Sequence, residues 1–173
     1  MSGKIVGVFI MISALVAGVL LYYLQIYGFY EEAPADFAEV RLMPFTSDAP
    51  VPILAENIRA IDADSSPIRF RACFTTPSGL PMLTETYVGL DRVVPRNAPD
   101  WFDCFDARKI ADELKAGTAL AFLGEKNVAF GVDRIVAITE DGRGYIWHEL
   151  NDCGEKAYDG TVTGEECPDR DTN

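Results

Sequence analysis

The chain has 173 residues, enough for one domain with a hydrophobic core, and its 15 basic and 27 acidic side chains give a formal net charge of −12. All acidic residues and all basic residues except Lys4 follow residue 30, so that part of the chain has a net charge of 14 − 27 = −13. This negative field opposes binding to nucleic acid and to anionic lipid headgroups. We therefore expect no nucleic-acid partner.

The first feature along the chain is an uncharged apolar run over residues 5–28. It exceeds the roughly 20 residues that a transmembrane helix needs, and also the about 7–15 apolar residues of a secretory signal. Lys4 precedes the run and acidic residues follow it from Glu31, and positive charge is retained on the cytoplasmic side of a membrane. We therefore predict a single-pass anchor in the lipid bilayer of a bacterial inner membrane over residues 5–30, with residues 1–4 cytoplasmic and the bulk periplasmic.

Aromatic residues gather at the end of the apolar run, as they do where membrane helices meet the headgroup region. They are Tyr22, Tyr23, Tyr27, Phe29 and Tyr30. The small residues Ala33 and Ala35 leave an alternative open, because they occupy the −3 and −1 positions of a signal-cleavage site. We favour an uncleaved anchor, since this site lies far beyond an apolar region that is already too long for a signal.

The remaining chain divides into three parts. Residues 31–52 contain four prolines and predict an extended stalk or a segment that covers the domain. Residues 53–150 predict the periplasmic domain, and residues 151–173 predict an acidic tail closed by a disulfide.

The first half of the domain predicts two paired strands. Residues 68–74 alternate apolar and polar side chains, which is typical of a half-buried strand. The polar face of this strand would carry Arg69 and Arg71. We favour a solvated pair of side chains there, and the alternative is an anion site. Residues 84–90 predict the partner strand beyond a turn, whereas residues 53–61 are ambiguous between a helical turn and a strand.

The second half of the domain predicts a helix followed by strands. Residues 107–116 place apolar side chains at helical spacing, with Asp106 as the N-cap and Gly117 after the last turn. Two strands around a turn at 124–127 follow, and then a hairpin with a two-residue Asp-Gly turn at 141–142. This order predicts an α+β domain with an antiparallel sheet and one main helix.

Four cysteines, Cys73, Cys104, Cys153 and Cys167, lack C-x-x-C spacing, which argues against a redox motif or a zinc ribbon. An even count in an exported domain predicts disulfides, and three sets of pairings exist. We favour Cys73–Cys104, which would join a strand to the segment entering the helix. Cys153–Cys167 would then close the tail. In the chain-entropy account each bridge would stabilise the fold by about 3 kcal/mol.

The sequence contains no kinase, nucleotide-binding or metalloenzyme motif, so we predict no cofactor, no metal site and no catalytic residue, although an enzyme is not excluded. The single histidine, His148, lies in an alternating strand and is interpreted as structural. Trp101 and Phe102 are candidate contacts with a membrane-protein partner, because adjacent aromatic residues in a loop are hard to bury and are enriched at binding hot spots. The alternative is that both pack beside Cys104 under the helix.

The anchor, together with "AIDADSSPIRFRACF" and "KNVAFGVDRIVAITEDGRGYIWHELNDCGE", resembles an uncharacterised family of short, single-pass, membrane-anchored proteins from Rhodobacter-like alphaproteobacteria. The resemblance implies no activity and no functional residues. Three functions remain open. The favoured one is an interaction or accessory protein of an envelope or respiratory membrane complex. The alternatives are a periplasmic ligand-binding or sensory domain and a carboxylate-based hydrolase.

Overall fold

The computed structural model describes residues 3–33 and 39–168. It begins with the apolar helix α1 (Gly3–Tyr23), which continues as one π-helical turn (Leu24–Gly28). No side chain of α1 is buried against the described part of the chain. The combined segment, Gly3–Gly28, is long and apolar enough to cross a membrane.

The described residues beyond this segment form nine strands and two further α-helices. The strands are β1 (Glu31–Glu32), β2 (Val40–Leu42), β3 (Val51–Ile53), β4 (Glu56–Asp62), β5 (Arg71–Thr75), β6 (Gly89–Leu90), β7 (Ala119–Ala129), β8 (Val132–Thr139) and β9 (Arg143–Leu150). The helices are α2 (Leu80–Thr86) and α3 (Ala107–Ala116). Seven strands make one antiparallel sheet in the order β1-β4-β5-β9-β8-β7-β6, and β2 pairs with β3 as a separate hairpin. The predicted α+β class is confirmed.

Both faces of the sheet are covered, because alternate residues of each central strand point to opposite sides. We call the side under α3 the helix face; its buried residues are Ile61, Cys73, Ala121, Ile135, Ala137, Tyr145 and Trp147. The opposite side, the hairpin face, lies under β2, β3 and α2; its buried residues are Ala72, Phe74, Phe122, Val136, Ile138 and Ile146. Two core clusters therefore sandwich a single sheet.

Helix α3 has the predicted boundaries. The Asp106 carboxylate accepts hydrogen bonds from the backbone N–H groups of Arg108 and Lys109, which no residue inside the helix can satisfy. Gly117 follows the last turn with φ of 76°, a conformation that glycine adopts without strain. Ile110 is buried on the helix face. The cap and the apolar stripe together explain why this helix forms where the sequence predicts it.

Two predicted strands in the first half of the domain have other boundaries than expected. The strand expected at 68–74 begins only at Arg71, because Pro67–Arg69 forms a 3₁₀ turn. Of the partner strand expected at 84–90, residues 84–86 end helix α2 and only Gly89–Leu90 form a strand. The first turn of α2 contains a proline with the backbone angle that a helix start requires. The short β6 that follows α2 pairs with β7 and not with β5.

One predicted turn is displaced, and a second is one residue longer than expected. Strand β7 continues through 124–127 with two register shifts, and the chain reverses later, at Gly131, whose φ is 71°. Asn127 absorbs part of the irregularity with φ of 52°, while its N–H donates to Asp133. The last hairpin reverses through three residues, 140–142, instead of the expected two, with φ of 80° at Gly142.

The proline-containing segment 31–52 contributes to the core. Val40 and Leu42 are 0 % exposed and pack against β7 on the hairpin face. Met43 continues this contact, since its N–H donates to the Leu123 carbonyl at 2.8 Å. From Val40 onward the segment therefore covers the domain. The part of the predicted stalk at 34–38 and the tail end at 169–173 lie outside the described residues.

Candidate functional site

The junction between the apolar helix and the domain is held by backbone and side-chain hydrogen bonds. The Phe29 N–H donates to the Leu24 carbonyl at 3.2 Å and closes the π-helical turn. Strand β1 then pairs at once with β4, with Glu31 opposite Asp62. Only Phe29 and Tyr30 separate the π turn from the sheet, so the helix end is tied to the edge of the domain by backbone hydrogen bonds.

Trp101 forms the second tie at the junction. Its indole Nε1–H donates to the Ile26 carbonyl at 2.7 Å, across 75 positions of sequence. The last carbonyls of a helix have no partner within the helix, and Trp101 supplies one from the folded domain. The indole ring also meets the ring of Tyr30 edge to face, with centroids 6.1 Å apart. Trp101 is 38 % exposed, so part of the ring remains accessible from outside.

The loop that carries Trp101 is held against the sheet by two buried aromatic neighbours. Phe102 and Phe105 are buried on the helix face, where Phe105 meets the rings of Tyr145 and Trp147 edge to face. Phe102 is 4 % exposed and therefore offers almost no area to a partner protein. Of the two predicted contacts only Trp101 keeps accessible surface, and its contact with a partner stays a prediction.

The two cysteine pairs favoured from the sequence lie at disulfide distance. Cys73 on β5 and Cys104 have Cα atoms 6.3 Å apart, and the pair joins the central sheet to the Trp101 loop. Cys153 and Cys167 have Cα atoms 4.9 Å apart and close the loop of the tail. The first pair thus supports the junction from the sheet, whereas the second lies outside both core clusters.

Arg71 also holds the Trp101 loop, which corrects its reading as a solvated side chain. It is 4 % exposed and points to the helix face. Its guanidinium donates to the carbonyls of Arg96 and Asn97 in the loop and to those of Ile68 and Phe70 near its own strand. Burial lowers its pKa to about 10. Because Nε and Nη1 are engaged by backbone oxygens, Arg71 acts as a brace for the loop, and this geometry disfavours the alternative anion site.

Three grooves surround the loop and the junction. One of about 230 Å³ lies between Trp101 and β4, and one of about 250 Å³ lies beside Gly28 and Asp62. A larger groove of about 580 Å³ lies at the start of α3. Its acidic lining is already engaged in part, since Asp103 pairs with Arg59 at 2.9 Å and Asp106 caps α3. A pair of carboxylates poised for hydrolysis is therefore not favoured there.

His148 is buried on the hairpin face and has structural partners on both ring nitrogens. Nδ1 donates to the Pro67 carbonyl at 2.7 Å, which requires the proton on Nδ1, and Nε2 accepts from Arg134 Nε at 3.1 Å. The ring stacks on Phe70. Burial lowers the pKa of His148 to about 4, so the neutral ring is the form that the fold stabilises. This geometry supports the interpretation of His148 as structural.

A second polar cluster connects α3 to the last hairpin. Arg143 donates to Asp141 and Glu113 at 2.8 Å each and to the Tyr145 hydroxyl at 2.7 Å. The hydrogen bonds from Arg143 and Thr139 lower the pKa of Asp141 to about 2. This network fixes helix packing, and none of the grooves described above reaches it. Within residues 3–33 and 39–168, no three His, Cys, Asp or Glu side chains are arranged to hold a metal ion.

The structure thus defines a small α+β domain tied directly to a helix that is long and apolar enough to cross a membrane. Residues 40–168 match the family described as "Family of unknown function (DUF6446)", and the chain belongs to that family. The match begins at β2 and includes the disulfide-paired tail. No curated protein and no solved structure matches the chain. Membership of an uncharacterised family, which the sequence predicted, is confirmed.

Proposed function

We propose that this protein is a membrane-anchored periplasmic interaction or accessory protein of an envelope or respiratory membrane complex and has no catalytic activity. The observation that carries the proposal is the junction. The β1–β4 pairing and the Trp101–Ile26 hydrogen bond hold the domain against the end of the apolar helix. A domain fixed in this way presents a constant face to neighbouring membrane proteins, at the high effective concentration of a shared membrane.

In the orientation we propose, the chain crosses a bacterial inner membrane once, with its N-terminus in the cytoplasm and its domain in the periplasm. Lys4 lies before the apolar helix, whereas the acidic residues lie after it. The two cysteine pairs at disulfide distance support an oxidising compartment, because disulfides persist there and are rare in the cytosol. Fusions of alkaline phosphatase and of a cytoplasm-active reporter after Asn173 test this orientation. Activity of the cytoplasmic reporter alone would contradict it.

The absence of catalysis is supported by how the polar groups are used. Arg71 braces a loop, His148 bridges Pro67 and Arg134, and Arg143 joins α3 to the sheet. Each of these groups makes structural hydrogen bonds that a reacting group would have to break. A polar side chain whose hydrogen bonds are all made within the fold stabilises one particular packing, and it is less available to react with a substrate.

A ligand-binding or sensory domain is the second candidate, and the groove of about 580 Å³ at the start of α3 favours it. Its size is within the range of small-molecule sites, which are usually more apolar than this lining of Asn97, Asp100, Asp103 and Arg108. A protein partner is favoured because a polar, open groove provides little apolar area for a small ligand.

Co-purification from native membranes tests the interaction. The full chain serves as one bait, and residues 1–33 fused to an unrelated soluble domain serve as the matched control. We expect a membrane complex to co-migrate with the full chain on native gels and to be absent with the control. Recovery of the same proteins with both baits would assign them to the helix alone. If no complex is recovered and the purified chain turns over a substrate, the proposal is wrong.

A further inference from the structure

We infer that Trp101 is a second membrane contact, supplied by the folded domain, whose indole ring lies in the headgroup region of the bilayer beside the apolar helix. The inference rests on the proposed membrane span of residues 3–28. It goes beyond that span because it assigns a lipid-facing surface to the domain itself. The partner is the bilayer interface, and the side chains that form the surface are Tyr27, Phe29, Tyr30 and Trp101.

The depth of Trp101 follows from its hydrogen bond. The indole nitrogen lies 2.7 Å from the Ile26 carbonyl, so the ring is at the level of that residue. A span of about 20 residues from Ile5 ends near Leu24, and Ile26 then lies roughly 3 Å further along the helix axis. This is the boundary between hydrocarbon and headgroups. A ring bonded there from the side lies at about the depth of the Ile26 carbonyl.

The chemistry of the neighbouring side chains fits that depth. Tyr23 and Tyr27 stack on each other one turn apart, and both are exposed around the helix end, where tyrosine suits the headgroup zone. Tryptophan shares this preference because it combines a large apolar ring with one N–H donor. Trp101 satisfies that donor with a helix carbonyl and leaves 38 % of its surface exposed. The accessible part of the ring is therefore available to lipid.

The charge around Trp101 determines which lipid chemistry suits the contact. Glu31 and Glu32 form β1, and Asp100 and Asp103 flank Trp101 and Phe102. These four carboxylates outnumber the two nearby guanidinium groups, those of Arg59 over Phe102 and of Arg69 over Tyr30, so the local charge is negative. Arg59 neutralises Asp103 through an exposed ion pair. Negative charge disfavours anionic headgroups. The contact of Trp101 with lipid therefore depends on its indole ring and not on charge. A bilayer of zwitterionic lipid is enough to form it.

A protein partner is the competing occupant of this surface, and the observations favour lipid. A partner contact needs only exposed aromatic area. It does not account for an indole donor directed at a helix carbonyl next to a belt of tyrosines. The bilayer accounts for both, because it surrounds the helix end at that level.

Tryptophan fluorescence in vesicles tests the inference. The chain contains two tryptophans, and Trp147 is 0 % exposed in the core, so only Trp101 is positioned to meet lipid. The full chain is reconstituted in phosphatidylcholine vesicles that carry bromine either near the headgroup or near the acyl-chain ends. We expect headgroup-proximal bromine to quench the emission more strongly than deep bromine. Trp101→Phe should lose that quenching and retain the emission of Trp147.

Three outcomes separate the possibilities. If the chain floats with the vesicles and its emission is unchanged by either bromine position, the lipid contact of Trp101 is wrong while the membrane span stands. If the chain does not float, the span and the inference fail together. If an aqueous quencher reaches Trp101 in pure lipid and is excluded only in native membranes, the ring contacts a protein partner and the inference is overturned. Addition of anionic lipid should not increase the quenching, and an increase would contradict the charge argument.

Discussion

The two faces of the sheet are equally buried but are covered by different kinds of structure. The helix face is closed by α3, the Cys73–Cys104 pair and the Trp101 loop, and this loop reaches the end of the apolar helix through the Trp101–Ile26 hydrogen bond. The hairpin face is closed by β2, β3 and α2, which contribute mainly aliphatic packing. This difference indicates that one side of the sheet connects the domain to the apolar helix, while the other side mainly stabilises the domain.

The largest predicted effect tests whether the hairpin face is as essential as the helix face. Leu42→Ala removes a fully buried side chain from the β2 cover and should lower the free energy of unfolding by about 3–5 kcal/mol. Trp147→Ala on the helix face should have a cost in the same range. Chemical unfolding of the full chain in detergent micelles measures both.

Arg41→Ala is the matched control for Leu42→Ala, because Arg41 is exposed on the same short strand. We expect it to change the unfolding free energy by no more than about 0.5 kcal/mol. A cost for Leu42→Ala as small as that of the control would mean that β2 is a dispensable stalk, and the comparison of the two faces would then fail.

The second prediction compares the two cysteine pairs. Replacement of Cys73 and Cys104 by alanine should cost about 3 kcal/mol, because the pair lies under the core and closes a loop of 31 positions. The loop of 14 positions closed by Cys153 and Cys167 would also give about 3 kcal/mol in the chain-entropy account, but it lies outside both core clusters and can open while the sheet stays folded. Replacement of this pair should therefore destabilise the tail locally and reduce global stability by less than about 1 kcal/mol.

Proteolysis distinguishes the two cysteine variants further. Loss of the tail pair should accelerate cleavage between residues 153 and 167 while the sheet remains intact, since that loop opens locally. Peptide mapping without reduction checks that the pairs are linked in the isolated protein. A Cys73–Cys153 link would contradict both the pairing and this comparison.

The parts of the fold that the sequence predicted are those with local signals. Helix α3 has its cap at Asp106, its stripe and its terminal glycine within a short stretch of chain. The β2 cover has no such signal, because Val40 and Leu42 are buried only through contact with β7, far along the chain. The strand preference of residues 84–86 is overridden by a proline at the start of α2 and by burial of Leu83.

The junction could be predicted only in part for the same reason. The aromatic residues at the end of the apolar run predict a membrane interface, and two adjacent aromatic residues in a loop predict that Trp101 is exposed. Its bond to Ile26 joins residues 75 positions apart, and no spacing within the sequence specifies such a pair. Phe102 is buried whereas the adjacent Trp101 is exposed, because the Cys73–Cys104 pair fixes the direction of the loop. That direction is set by tertiary contacts and cannot be deduced from the local sequence.

The third prediction concerns pH and the hairpin face. The pKa of His148 is lowered to about 4 in the fold, against about 6.5 in the unfolded chain. The unfolded chain therefore binds the proton first as the pH falls, and stability is lost between about pH 6.5 and pH 4. Between pH 7 and pH 5 the loss should be about 2 kcal/mol. His148→Gln, which keeps an acceptor for Arg134 but does not titrate, should remove this loss. An equal pH dependence in the variant would assign the effect to carboxylates.

The smallest predicted effect concerns Trp101, the residue that connects the helix face to the apolar helix. Trp101→Phe keeps an aromatic ring but removes the N–H that reaches Ile26, so the global free energy of unfolding should fall by only about 0.5–1.5 kcal/mol. The effect should instead be local. Amide exchange at Phe29 and Ala33, whose N–H groups bond to Leu24 and Ala60 at the junction, should become faster than in the wild type. Amides in the centre of β9 should be unchanged and serve as the internal control. If exchange at Phe29 and Ala33 stays at the wild-type rate, the β1–β4 pairing alone holds the domain to the helix, and Trp101 does not contribute to that coupling.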